Sequence, residues 1–178
     1  MRNLGQTLKL YKMEINWLIL LLASVIPMII GFVWYHPSVF GNAWMKASGV
    51  TEEKMKGSNM AMIFIMSFIF SFLIAMSLQF IVIHQYHIYS VFANDADMKD
   101  PNSALSLYVK DFMEKYGDNF RTFKHGIVHG TITGIFLILP IVAINAMFER
   151  RGYKYIFINA GYWLVSLAIM GGIICAYS

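Results

Sequence analysis

His84 and His87 stand three residues apart, and His125 and His129 stand four apart. Three- and four-residue spacing puts side chains on one face of a helix. Imidazole is a ligand for zinc, copper, iron and nickel, and two imidazoles on facing helices can also hold haem. A metal-bound histidine needs a partner for its second ring nitrogen, and the Asp and Glu between the two pairs could supply it. The plainer reading makes all four interfacial histidines, bonded to water, lipid headgroups and backbone. No Cys, carboxylate at fixed spacing or haem motif accompanies them, which favours that reading. The expectations are therefore no cofactor, with a metal or haem site at these four residues as the alternative. An enzyme is not expected, because no nucleophile–base pair, phosphate loop or paired carboxylates occur. Asp95 and Asp97 start like a calcium loop, but Asp100 stands where glycine is required and Ser106 where glutamate is required.

Trp34, Tyr35, His36 and Trp44 form a second cluster. It reads as a ligand mouth or as an aromatic belt with an interfacial turn. Asn145, Asn159, Ser166 and Gln79 could make a polar patch inside a bundle, as glue between helices or as a substrate path.

The elements that position these residues follow from composition. Of 178 residues, 58% are hydrophobic and 13% charged. Soluble domains run near 25% charged, and a chain of this size cannot hide so much apolar surface in a globule. Membrane spans are predicted at 15–35, 60–83 with a possible extension to 92, 126–148 and 155–177. None carries an ionised residue at its centre, which argues against a proton pump. Basic residues are scattered, so nucleic acid is not an expected partner. The single cysteine, Cys175, reads as a small core residue.

Before the first span lies a polar tail with Arg2, Lys9 and Lys12. In that span Trp17, Ser24 and Gly31 recur every seven residues as an inward stripe, and Pro27 should kink it. Thr51 before Glu52 and Glu53 reads as a helix cap. Ser67, Ser71, Ala75 and Gln79 form a small and polar stripe on the second span. Gly126, Gly130 and Gly134 keep four-residue spacing on the third, and Asn145, about three turns on, should return to their face. Small residues let helix backbones approach closely in lipid, so this is the expected packing face. Pro140 should bend that span. On the fourth, Gly161, Ala168, Gly172 and Cys175 share one face, and Asn159, Trp163 and Ser166 the opposite one. Partners on both sides are implied: the glycine face, and either the first span or a second subunit. The soluble stretch 93–124 holds an amphipathic helix, with Asp100 and Pro101 at its start and Gly117 at its end. It should rest on the bilayer or cover the bundle mouth.

Orientation is left open. Arg150, Arg151 and Lys154, tight between two spans, favour cytoplasmic first and third loops, which carry six Lys/Arg in all. The tail and long loop carry eight over more residues and argue the reverse.

The run Gly31-x-x-Trp34-Tyr35-x-Pro37-x-x-Phe40-Gly41-x-x-Trp44-Met45, followed by Thr51-Glu52-Glu53, resembles domain of unknown function 1761, a family of small bacterial membrane proteins. Asn145-Ala146-x-Phe148-Glu149, Asn159-Ala160-Gly161-Tyr162-Trp163 and Gly171-Gly172 extend the resemblance across all four spans. His36 and the long loop depart from that pattern. The resemblance implies a four-helix protein of the bacterial inner membrane and no particular activity.

The expected fold is an all-α bundle of four membrane spans with an amphipathic surface helix between the second and third. The expected function is structural or accessory, in a homo-oligomer within the lipid bilayer. A transporter or channel acting as an oligomer is one alternative, and a metal or haem protein built on the histidines is another.

Overall fold

The computed structural model describes residues 15–178; the tail with Arg2, Lys9 and Lys12 lies outside the described residues. Four helices are long and apolar enough to cross a membrane: Trp17–Trp34, Met60–Val82, Phe123–Phe148 and Tyr153–Tyr177. Three of them open on a side-chain cap. Asn16 accepts from the Ile19 amide at 3.3 Å, Asn59 from Met62 at 3.1 Å and Thr122 from His125 at 3.2 Å. Helix is the only regular structure among the described residues.

Two expected boundaries change. The second span does not run on towards 92. It ends at Val82, where Ile83 turns extended at φ −111° and ψ 95°, and a separate helix, Gln85–Val91, follows. The loop helix, Ala104–Tyr116, starts at Ser103, whose hydroxyl accepts from the Ser106 amide at 3.0 Å. Asp100 instead closes a local turn, accepting from the Asn102 amide at 2.9 Å. This helix buries Val109 and Met113 and pairs Lys115 with Asp111 on its outer face. Gln85 ties its far end to the helix that follows the second span, donating to the Tyr116 carbonyl at 3.3 Å and the Asn119 carbonyl at 2.8 Å.

Inside the third span, a π turn at Gly134–Ile138 precedes Pro140. Proline lacks an N–H and its ring crowds the preceding turn, and a widened turn accommodates both. The widening adds one residue, so everything beyond rotates by about 100°. Asn145 therefore leaves the glycine face and is exposed, and Ala146 occupies the fully buried position. The expected grouping of Asn145 with Gly126, Gly130 and Gly134 fails for this reason.

The fourth span lies at the centre and packs against the other three, most extensively against the third. A Cβ at Gly134 would stand 2.9 Å from the Leu164 Cα, and at Gly126 and Gly130 it would enter the carbonyls of Gly171 and Leu167. The glycine face is thus a seam within one chain. Ala168 lies in it, against Gly130. Gly172 also faces the third span, where a Cβ would lie 2.7 Å from the Phe123 ring, whereas Gly161 faces the first, where it would lie 3.0 Å from the Trp34 ring. Leu20, Ala23, Ala75, Leu78, Leu167 and Met170 fill the core between the first, second and fourth spans. Phe32, Phe136 and Phe148 point outwards, as lipid-facing side chains do.

Candidate functional site

The chain brings two groups of chemically able residues together, one at each end of the bundle. Asn16 donates to the Tyr177 carbonyl, and Trp34 Nε1 to the Ile158 carbonyl at 3.0 Å, so the first and fourth spans run antiparallel. Gly126 at the start of the third span meets Gly171 near the end of the fourth. Residues near 84 and 125 therefore share the end that holds residue 177, and residues near 35 and 60 lie at the other.

At the first end, His84, His125 and His129 converge, each offering a ring nitrogen within 4.8 Å of the other two. His84 Nε2 and His125 Nε2 are 3.0 Å apart. His129 completes the triangle, its ring centroid 4.8 Å from that of His84 and 4.4 Å from that of His125. Local structure explains the meeting. The break at Ile83 leaves His84 at a corner, where it begins the next helix. The Thr122 cap starts the third span just before His125, and one further turn brings His129 into line. The adjacent glycines seat this helix against the fourth span, which leaves its neighbouring face, with both imidazoles, towards His84. Phe120, held at φ 63°, sets its ring 5.2 Å from that of His125.

His87 is not part of the group. The break carries it away on Gln85–Val91, where it is exposed. Two imidazole nitrogens at 3.0 Å either share a proton or turn towards one ion. A tetrahedral ion 2.0–2.1 Å from each nitrogen spaces its ligands roughly 3.3 Å apart, close to the 3.0 Å between the His84 and His125 nitrogens. Haem fits poorly, since axial imidazoles must lie on opposite faces of a flat ring and these nitrogens meet directly.

At the other end, Tyr35, His36 and Trp44 line a cavity of about 660 Å³, together with Ser67, Ser71 and Tyr162. Trp34 does not line it; its ring covers Gly161 and packs against Phe40 at 4.6 Å. The Tyr35 hydroxyl donates to Asn159 Oδ1 at 3.0 Å. The expected polar patch does not form. Asn159 serves Tyr35, Ser166 donates to the Tyr162 carbonyl of its own helix at 2.8 Å, Gln79 meets Tyr86, and Asn145 is exposed.

Arg121 carries a role the sequence did not signal. Its Nε donates to the Cys175 carbonyl at 3.1 Å, and a second guanidinium nitrogen donates to the Ser178 carbonyl. A cation there complements the unpaired carbonyls that end the fourth span. The pairing spans 54 residues of sequence, and no local spacing encodes it.

No curated protein and no solved structure matches the chain. A family model, described as a protein of unknown function (DUF1761), matches residues 18–175, which is all but the margins of the four spans. The chain belongs to that family.

Proposed function

We propose that this protein is a multi-pass protein of the bacterial inner membrane that binds one transition-metal ion at His84, His125 and His129, with a chiefly structural effect. The convergence of three ring nitrogens within 4.8 Å carries the reading. Three imidazoles with a fourth position open suit zinc, and imidazole also suits copper and nickel. The second and third spans make few contacts with each other elsewhere. An ion held by His84 on one side and His125 and His129 on the other clips them together and fixes both ends of the long loop. The apolar core between the two ends supports binding over conduction through a single chain.

The test uses purified full-length protein in detergent, stripped with chelator, reloaded with zinc and passed over a desalting column. Elemental analysis should find close to one zinc per chain. His125→Ala and His129→Ala should each lose most of it, and His87→Ala should keep it. Equal zinc in all four proteins, or none in the unmutated one, overturns the proposal.

A further inference from the structure

The cavity at the opposite end is independent of the histidine site and has a chemistry of its own. Its walls come from three spans and the segment after the first: Gly31 and Phe32, Phe64 and Ser67, Tyr162, and Trp44. No Asp, Glu, Lys or Arg lines it. Its volume, about 660 Å³, falls within the range of small-molecule sites. Phe32 is 79% exposed and Phe64 50% exposed, so the cavity's rim between the first and second spans faces the bilayer.

Its serines differ from most other hydroxyls of the spans. Within the spans, Ser24, Ser77, Thr133 and Ser166 each donate to the carbonyl four residues back, at 2.6, 3.1, 2.8 and 2.8 Å. That back-bond is how a helix in lipid satisfies a hydroxyl. Ser67 and Ser71, one turn apart on the second span, form no such bond, and both line the cavity. Ser71 is only 3% exposed. Its hydroxyl has no partner among the described residues and opens on the cavity, whose mostly apolar walls give a lone water few groups to hold it. The remaining hydroxyls are committed: Tyr162 donates to the Pro27 carbonyl at 2.9 Å and Tyr35 to Asn159.

We infer that the cavity is a binding site for an uncharged, membrane-soluble small molecule with a planar ring and a carbonyl oxygen, which enters from the lipid and accepts hydrogen bonds from Ser67 and Ser71. The wall holds no carboxylate, ammonium or guanidinium and one imidazole, that of His36, a composition that disfavours ions. The rings of Tyr35, Trp44, Phe64 and Trp163 offer faces and edges to a flat ring more than to a flexible chain. The two open donors, four residues apart on one helix face, orient the carbonyl.

Duroquinone, a neutral ring with two carbonyls, serves as the probe. It is titrated into detergent-solubilised full-length protein while tryptophan fluorescence is followed, since Trp44 and Trp163 line the cavity. Quenching should saturate. Ser71→Ala removes one hydrogen bond at almost unchanged volume and should weaken binding roughly threefold to tenfold. Ser67→Phe fills the space and should abolish saturation. Ser77→Ala, a back-bonded serine outside the cavity, should match the unmutated protein, and near-ultraviolet circular dichroism checks that each variant is folded. Quenching that rises linearly and equally in all four proteins reflects partition into the micelle and overturns the inference. So does saturable binding that palmitate displaces and that Ser71→Ala leaves unchanged, which would assign the cavity to a lipid chain.

Discussion

Gln79 is fully buried, and its two polar atoms fare differently. Its oxygen lies 3.5 Å from the Tyr86 hydroxyl, a long bond, and its nitrogen has no partner among the described residues. An unpaired buried donor costs about 1–3 kcal/mol. Gln79→Met keeps the volume and removes the donor, so the midpoint of thermal unfolding in detergent should rise, by about 1 kcal/mol in stability. A fall of that size would show that the amide is needed where it is. Tyr35→Phe runs the other way. It takes the donor from Asn159 Oδ1, and about 1 kcal/mol should be lost in the same measurement. An unchanged midpoint would show that water replaces the hydroxyl there. The sequence marked Tyr35 and Asn159 as notable, but in separate groups, because a bond across 124 residues leaves no trace in local spacing.

Among the elements, the seam between the third and fourth spans has the least tolerance. Gly130→Ala drives a methyl into the Leu167 carbonyl, where the backbone must shift. Overpacking of this kind typically costs about 1–3 kcal/mol. Gly152→Ala is the matched control, because its Cβ meets nothing within 4 Å. Urea or thermal unfolding in detergent should separate the two variants clearly, and equal stability would mean the seam relaxes at no cost. The glycine spacing was readable in advance because small residues at four-residue intervals have one main use in lipid. The place of Asn145 was not, because one added residue in a π turn rotates all that follows, and Pro140 announces a disturbance without its kind.

For the molecule as a whole, the histidine site joins the second span to the third across a thin seam. Ligand that binds only the folded state stabilises it by mass action, about 2.7 kcal/mol at one hundred times the dissociation constant. Zinc should therefore raise the unfolding midpoint of the unmutated protein and of His36→Ala, whose imidazole lies at the other end. His84→Ala should show no such rise. A zinc shift that survives in His84→Ala would place the ion elsewhere.

The sequence alone determined that four apolar helices form, roughly where each lies, that an amphipathic helix separates the middle pair, and which family the chain belongs to. Those properties rest on composition, period and short motifs, which are local. Tertiary structure decided which histidines meet, that the glycine row faces the fourth span of the same chain, and that Tyr35, His36 and Trp44 border a cavity with two unbonded serines. Each of these depends on the rotation of one helix about its axis relative to another. A break at Ile83 or a widened turn at Gly134 resets that rotation by a fraction of a turn, and only the packed chain fixes the sum.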